Sequence, residues 1–310
     1  MTPKAPEKTL VRPAAPQSSH DPMDVLMGDV VSFDEDDYGL ATHVLIGCPQ
    51  DEGVKRNGGR PGAAQAPETV RRFLYKLKPP VRNGNVRLLD LGDVPVGSLE
   101  EMHDTLHAVV RHALGDGKIV MVLGGGNDIS FPDARAVSEV HPGFAAINVD
   151  AHLDMRKSDV IHSGTPYRNL IDGGHLKPTN LYEIANQPWA NSPRYMEDAE
   201  ALGVHVETLS TIQSKGPNKY FYDLFERLRG MPLFAGLDMD SVKAADAPGV
   251  SAPASVGLSS KGLLYFADRC RKHGRTAVFE ITEVNPAFDV DDRTSRLAAL
   301  TLYTFMFGQQ

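Results

Sequence analysis

The amino-acid sequence predicts an α/β protein with a mostly parallel sheet that is covered by helices on both faces. Short apolar segments alternate with longer segments of helical periodicity over about 270 residues, which is the order expected of repeated strand–helix units. Several apolar segments are continuous, as in strands that are buried on both faces of a parallel sheet. Eight such strands would suit a doubly wound sandwich or a TIM barrel. Long irregular stretches at 50–65, 155–180 and 240–258 favour the sandwich, with its loops gathered at one sheet edge.

The individual elements are predicted from the same alternation. We predict strands at His43–Cys48, Val86–Leu91, Ile119–Leu123, Ala145–Val149, Asn180–Ile184, Val204–Glu207, Leu233–Leu237 and Ala277–Ile281. We predict helices at Ala66–Lys76, Leu99–Gly115, Pro132–Val140, Tyr220–Leu228, Ser259–Lys272 and Asp292–Phe307. Ser259 and Ser260 precede an apolar periodic segment, which predicts a helix N-cap at that point.

The composition is that of an ordinary globular protein, with 41% hydrophobic and 23% charged residues and a formal net charge of −8. Residues 1–35 are predicted to form a flexible N-terminal extension, because the opening is rich in proline, alanine and serine. Residues 36–310 are predicted to form one domain. No block of basic residues indicates nucleic-acid binding, and pairs such as Arg71 and Arg72 are predicted to lie on solvated helix faces.

The two cysteines, Cys48 and Cys270, are predicted to be buried free thiols, because each lies in or directly after an apolar element. The first twenty residues contain no apolar segment of the kind found in secretory signals. The sequence contains no run of 18 apolar residues, so it predicts no membrane span. These observations favour a cytoplasmic location.

Three metal-ligand side chains lie within five residues of one another, directly after a predicted strand. They are Asp150, His152 and Asp154, and a second pair, Asp238 and Asp240, follows another strand. Carboxylates with an imidazole suit Mn²⁺, Zn²⁺, Fe²⁺ or Ni²⁺ better than Ca²⁺. If the chain stays extended, alternate residues point to one side. Five such side chains exceed the needs of one ion, so the sequence predicts a two-metal site and hydrolytic chemistry.

Three motifs give the sequence a resemblance to a known family. In order and spacing they resemble the ureohydrolase superfamily, which contains arginase, agmatinase and formimidoylglutamase, over about residues 43 to 307. The motifs are DAHLD at Asp150–Asp154, LDMD at Leu237–Asp240 and EVNP at Glu283–Pro286. The resemblance implies a three-layer α/β/α fold, a catalytic domain over residues 36–310, a homo-oligomer and two Mn²⁺ ions per chain.

The resemblance also implies a role for each ligand. Asp150 and Asp238 would bridge both ions, Asp154 would complete one ion, and His152 with Asp240 would complete the other. A hydroxide that bridges the ions would attack an amidine-type carbon.

Two further roles belong to the reaction that the resemblance implies. Asp154 would also hold the hydroxide and later shuttle a proton. Glu283 would hydrogen-bond the cationic nitrogens of the substrate.

The turn after the third predicted strand departs from the family pattern, because Asn127 stands where the family usually has a histidine ligand. Three interpretations remain open. Asn127 ligates through its amide oxygen, or the first ion is held weakly with water in that place, or the chain is a metal-poor, non-catalytic relative. An amide oxygen is a weaker ligand than imidazole. We therefore expect weak affinity for metal at the first site, the one to which Asn127 would contribute.

The loops near these motifs indicate the substrate. Arg156 stands where arginase-like sequences carry a small polar residue, and its guanidinium is suited to a substrate carboxylate. The loop that contains Ser163 resembles the formimidoylglutamase form, and Ser163 replaces the histidine of agmatinase and arginase. His162 is a candidate substitute for that proton-shuttling histidine. Further candidates for substrate contact are Ser163 itself, Asn57, Thr165 and Arg168.

These observations favour hydrolysis of N-formimino-L-glutamate to L-glutamate and formamide, a step of histidine degradation. The alternative in the same class is a guanidino-compound hydrolase that releases urea, such as an agmatinase, guanidinobutyrase or arginase. The alternative in another class is the metal-poor binding protein that Asn127 alone would indicate. In each enzyme the partner is a small molecule with a carboxylate and a formimino or guanidino group.

Overall fold

A computed structural model gives the fold and describes residues 4–6, 10–13, 18–81 and 85–309. Its centre is an eight-stranded sheet in which every neighbouring pair of strands is parallel. The strands are β1 His43–Gly47, β2 Leu88–Asp93, β3 Ile119–Leu123, β4 Ala145–Val149, β5 Leu181–Asn186, β6 His205–Thr208, β7 Leu233–Asp238 and β8 Thr276–Thr282. All eight predicted strands are confirmed, each end within two residues of its predicted position.

Helices cover both faces of this sheet. The described helices are α1 Met27–Val30, α2 Glu52–Arg56, α3 Ala66–Leu74, α4 Leu99–Gly115, α5 Ser130–Val140, α6 Pro166–Asp172, α7 Pro193–Leu202, α8 Leu209–Lys215, α9 Pro217–Arg227, α10 Ser260–His273 and α11 Arg293–Phe307. Side chains of α3, α9, α10 and α11 form one hydrophobic core, and those of α4, α5 and α6 form the other. The predicted three-layer α/β/α sandwich is therefore confirmed.

The strand order is β2-β1-β3-β8-β7-β4-β5-β6. The sheet is open, with β2 and β6 at its edges, which excludes the barrel alternative. The last two strands of the chain lie at the centre, between β3 and β4. The carboxyl ends of β3, β8, β7 and β4 therefore meet at one point of the sheet edge, where ligands bind in open parallel sheets.

Several local predictions can be compared with the structure. Ser259 caps α10, since its hydroxyl accepts a hydrogen bond from the Gly262 backbone N–H at 3.2 Å. Cys48 and Cys270 are buried free thiols, as predicted. A bilayer-spanning helix is absent from the described ranges, because none of their helices combines the necessary length with the necessary hydrophobicity.

The prediction that Arg71 lies on a solvated face was wrong. Its side chain is only 2% exposed and its Nε donates to Asp90 Oδ2 at 2.7 Å, while Arg72 beside it is 53% exposed. The apolar periodicity of α3 gives no sign of this, because the acids that bind Arg71, Asp90 and Asp93, lie on β2.

Part of the predicted N-terminal extension contacts the edge strand β2. Val11 and Asp93 exchange two backbone hydrogen bonds of 2.8 Å, and Ser32 forms a parallel bridge with Leu89. Met27 is buried in the core. These contacts cover the exposed edge of β2. The flexibility of residues 1–35 stays a prediction.

Candidate metal centre

Five acidic side chains gather where the central strands end. Asp150 and Asp238 come directly at the ends of β4 and β7, and Glu283 follows β8. Asp240 lies two residues beyond Asp238, and Asp154 four residues beyond Asp150. Since β8, β7 and β4 are neighbours, the strand order brings together residues that are more than 130 positions apart in the sequence.

Two groups of these side chains have the geometry to hold a metal ion. Asp150, His152 and Asp240 form one group, and Asp150, Asp154 and Asp238 form the other. Within each group the ligand atoms lie within 4.8 Å of one another. Because Asp150 belongs to both groups, it lies where a carboxylate could bridge two ions.

The chain folds back after each strand, which differs from the extended segment that we expected. The backbone N–H of His152 donates to Asp150 Oδ1 at 2.7 Å, and that of Asp240 donates to Asp238 Oδ1 at 2.8 Å. In each case the first aspartate accepts from the second residue after it, as in an Asx turn. The spacing of the DAH and DMD motifs thus produces a turn that places both side chains beside one another.

The cluster is strongly acidic and poorly hydrated. Burial, with the Asp154 and Asp240 carboxylates, raises the pKa of Asp150 well above its ordinary value. Burial raises the pKa of Asp154 to about 6, and burial with Asp240 and Asp150 raises the pKa of Asp238. Asp240 in turn raises the pKa of His152. Without a cation, these carboxylates oppose one another's ionisation.

The bonding of the cluster fits divalent cations. Among the described residues, Oδ1 of Asp240 and Oε2 of Glu283 are buried and have no hydrogen-bond partner. A buried, unpaired carboxylate oxygen is costly unless a cation binds it. The oxygen-rich ligand set with one imidazole suits Mn²⁺ among the candidate metals.

Asn127 lies at the edge of the cluster and contacts it through its amide nitrogen. Its Nδ2 donates to Asp154 Oδ2 at 2.7 Å, while its Oδ1 accepts from the Ser130 and Thr282 hydroxyls at 3.1 and 2.9 Å. These three hydrogen bonds fix the orientation of the Asn127 amide. In this orientation Asn127 is a hydrogen-bond partner of Asp154, and its amide oxygen is not directed to a metal ion.

Glu283 is held in place from one side. Its Oε1 accepts a hydrogen bond from the Asn127 backbone N–H at 3.0 Å. Burial, and to a smaller extent the negative charge of Asp240, raises the pKa of Glu283. Glu283 and Asp154 both have positive φ, 61° and 47°. Non-glycine residues in this region cost about 1–3 kcal/mol and cluster at functional sites.

The structure brings three of the predicted substrate residues together. The Arg156 guanidinium donates to Asn57 Oδ1 at 2.8 Å, and Asn57 Nδ2 donates to Ser163 Oγ at 3.0 Å. Arg156 follows Asp154 by two residues and is exposed. The three side chains therefore present one oriented guanidinium beside the acid cluster.

The other three predicted residues form local hydrogen bonds or ion pairs of their own, although His162 lies beside Arg156 and Asn57, next to Gly164. Nδ1 of His162 accepts from the Gly164 backbone N–H, and burial lowers the pKa of His162. Thr165 is fully buried and its hydroxyl donates to the His162 carbonyl at 2.8 Å, within the same turn. Arg168 is paired with Asp172 and Asp198, at 2.7 and 2.6 Å, and is not in the group around Arg156.

The sequence analysis missed a layer of buried polar side chains beneath the cluster. Asn148 on β4, Glu183 on β5 and Glu280 on β8 are fully buried. The available signal was a polar residue inside an otherwise apolar predicted strand, which is uncommon in a sheet buried on both faces.

Comparisons with known proteins agree with this site. Residues 41–308 match the model of the arginase family. The formimidoylglutamase of Rhodococcus opacus strain B4 is 34% identical over 267 residues, which cover 83% of this chain and 82% of that protein.

Solved structures show the same relationship. The crystal structure of Trypanosoma cruzi formiminoglutamase with Mn²⁺₂ has a TM-score of 0.86 at 33% identity, covering 92% of this chain and 98% of that one. The formimidoylglutamase of Bacillus subtilis has a TM-score of 0.87 at 27% identity and covers 95% of each chain. Since the family match extends from the first strand to the last helix and includes every strand end of the acid cluster, the chain belongs to the arginase family.

Proposed function

We infer that the protein is a formimidoylglutamase, which hydrolyses N-formimino-L-glutamate to L-glutamate and formamide at a dinuclear Mn²⁺ site. The observation that carries this inference is the oriented Arg156 guanidinium beside the acid cluster. Such a site fits a substrate with a carboxylate at one end and an amidine carbon at the other. The formimidoylglutamase names of the relatives support the same substrate.

The residues that would hold the metals follow from the two groups of ligands. Asp150, Asp154 and Asp238 would hold one ion, and Asp150, His152 and Asp240 would hold the other. When bound, divalent ions of this kind lower the pKa of water to about 7 and stabilise developing negative charge. Because Asn127 turns its amide nitrogen towards Asp154, the first group lacks the ligand that the family's histidine would supply. We therefore propose weaker affinity at that ion.

The substrate carboxylate would bind Arg156. Asn57 accepts from the guanidinium at 2.8 Å and holds it towards the cleft, while Ser163 holds Asn57. A guanidinium pairs with a carboxylate through two parallel hydrogen bonds, which fixes the substrate's length and direction. Asn57 and Ser163 thus act on the substrate through Arg156.

Glu283 and Asp154 would act at the other end of the substrate. The reaction breaks the bond between the formimino carbon and the glutamate nitrogen; the oxygen of water adds to the carbon, and its proton goes to the leaving nitrogen. The unpartnered Oε2 of Glu283 can accept a hydrogen bond from the cationic formimino nitrogen. Asp154, whose Oδ2 accepts a hydrogen bond from the Asn127 amide, can take the proton from water and return it to the leaving nitrogen.

A guanidino-compound hydrolase would use the same acid cluster. Assays with formimino and guanidino substrates therefore decide between that activity and formimidoylglutamase activity. Purified protein loaded with Mn²⁺ is expected to release formamide and glutamate from N-formimino-L-glutamate. Urea from arginine, agmatine or guanidinobutyrate, without formamide from formiminoglutamate, would transfer the assignment to the guanidino class. The homo-oligomeric state and the cytoplasmic location stay predictions.

Arg156→Leu tests the recognition of the carboxylate. The KM for formiminoglutamate is expected to rise by the equivalent of about 2–5 kcal/mol, the usual effect of removing one partner of a desolvated charge pair. Lys157→Leu is the matched control, because it removes the neighbouring positive charge, whose side chain is 55% exposed. Equal effects of the two substitutions, or an unchanged KM in Arg156→Leu, would show that Arg156 is not the carboxylate site.

A further inference from the structure

Two buried polar side chains lie directly behind Asp150. Asn148 precedes Asp150 by two residues on β4, and in the sheet it is paired with Glu183 on β5 and with Gly236 on β7. The side chains of Asn148 and Glu183 are completely buried. Neither residue belongs to the two groups of candidate metal ligands.

The amide of Asn148 joins Glu183 to Asp150. Its Nδ2 donates to Glu183 Oε2 at 2.8 Å and lies 3.4 Å from Asp150 Oδ2. The other oxygen of Asp150 accepts from the His152 backbone N–H. Both carboxylate oxygens of Asp150 therefore face N–H groups, although the one from Asn148 is the longer contact.

Glu183 determines which end of the Asn148 amide faces Asp150. Oδ1 of Asn148 has no hydrogen-bond partner among the described residues, so this oxygen does not hold the amide. On the β7 side the paired residue is Gly236, and the Tyr167 hydroxyl that packs against it forms no hydrogen bond with Asn148. Without Glu183 the amide could rotate by half a turn, since the amide torsion of asparagine is broad and the two orientations are similar in shape. Its oxygen would then oppose the carboxylate of Asp150.

We propose that Glu183 is a positioning residue of the metal centre, because through Asn148 it fixes the carboxylate of Asp150 that both metal groups share. The proposal rests on the proposed function in that it requires the cluster to bind Mn²⁺. Glu183 itself touches neither the ions nor the substrate. Residues that hydrogen-bond a metal ligand directly, as Asn148 does, commonly change metal affinity by about 10–100-fold, and Glu183 would act through that residue.

Direct titration with Mn²⁺ tests the proposal without an activity assay. Free Mn²⁺ is measured by its electron paramagnetic resonance signal in the parent protein and in Glu183→Leu. We expect Glu183→Leu to bind Mn²⁺ about 10–100-fold more weakly. Glu183→Gln keeps an acceptor for the Asn148 amide and is expected to restore affinity to within a few-fold of the parent.

A double substitution shows whether Glu183 acts through Asn148. Asn148→Leu is expected to weaken Mn²⁺ binding, and adding Glu183→Leu to it is expected to weaken binding no further. If the two losses multiply instead, Glu183 does not act through Asn148 and the proposal fails.

The unfolding free energy of the metal-free protein distinguishes a positioning role of Glu183 from a structural one. Urea unfolding of metal-free Glu183→Leu is expected to match or exceed the parent, because the substitution removes a buried carboxyl group. If Glu183→Leu does not fold, Asn148→Ala removes the donor instead and is expected to weaken Mn²⁺ binding by a similar factor. Parental affinity in the folded variant would overturn this proposal alone. A parent protein that binds no Mn²⁺ would overturn the proposed function as well.

Discussion

Two buried groups of acids in this protein are treated in opposite ways. Around Arg71, the guanidinium donates to both oxygens of Asp90, at 2.7 and 3.0 Å, and also to Asp93, while the Tyr75 hydroxyl donates to Asp90. In the metal centre, five acids face one imidazole, that of His152. Among the described residues, the ion pairs recorded for these acids are those of His152 with Asp150 and Asp240, and Arg156 acts on Asp154 without forming an ion pair with it.

The difference indicates what each group is for. A buried acid that only supports the fold can be neutralised by a side chain, as Arg71 does for Asp90 and Asp93. The acids at the strand ends instead keep buried oxygens without partners. Since unpaired buried charge destabilises a protein, the arrangement is favourable when cations are supplied from solution. Three experiments test whether the two groups of acids differ in this way.

Asp238→Asn is expected to have the largest effect. Losing one carboxylate of the cluster should lower kcat/KM by about 10³-fold or more, because metal ions contribute several kcal/mol of transition-state stabilisation. In the metal-free protein the same substitution should not lower the unfolding free energy, since it relieves repulsion. Asp223→Asn is the control, because that aspartate is half-exposed and pairs with Lys219. Parental turnover in Asp238→Asn would remove Asp238 from the metal centre.

Arg71→Met is expected to have the opposite signature. Removing the guanidinium leaves two acids without their cation, and the unfolding free energy should fall by about 3–5 kcal/mol. Arg72→Met removes the exposed neighbour, whose pairing with Asp292 on the surface should contribute no more than about 1 kcal/mol. Urea unfolding measures both. A loss in Arg71→Met no greater than in Arg72→Met would mean that the two groups of acids do not differ as described.

The pH dependence of stability should show the smallest effect. In metal-free protein the cluster carboxyls have raised pKa values, about 6 for Asp154, so folding favours their protonated forms. Their contribution is complete at low pH and is lost as the pH rises through about 6. Metal-free protein should therefore lose about 1–3 kcal/mol relative to Mn²⁺-saturated protein between pH 5 and 7.

The difference in unfolding free energy between metal-free and Mn²⁺-saturated protein isolates the contribution of the cluster carboxyls. Burial raises the pKa of Glu280 to about 7, and this group titrates whether or not metal is bound at the centre. If the two forms have parallel pH profiles, the acids of the centre are not what the cation neutralises.

The sequence was sufficient for the strands and for the ligands that follow them. Ile119–Leu123 is a continuous apolar run and Ala145–Val149 is apolar except for Asn148, and the bounds predicted for both strands agree with the structure. Asp150, His152 and Asp154 are close in sequence, so their grouping needed no knowledge of strand order. By contrast, α7 was not predicted, because Ala199 is its one described buried residue and it has little apolar periodicity.

Contacts across the sheet could not be predicted. That Asn148 faces Glu183 depends on which strands are neighbours and on their register, and a shift of one residue would turn either side chain to the other face. The partners of Arg71 are of the same kind. The expectation that Asp154 points to the same side as Asp150 was also incomplete. It requires an extended chain, and a residue with φ of 47° does not continue a strand.

The central position of β7 and β8 has a consequence for biosynthesis. As the chain leaves the ribosome, its first 208 residues contain two separate groups of three strands, β2-β1-β3 and β4-β5-β6. Only residues 233–282 join them, so β3 and β4 keep unpaired edges until those residues have been made, and unpaired edges favour aggregation. Manganese can find its complete set of ligands only after β7 and Asp240, which follow all six of those strands in the sequence, have been made.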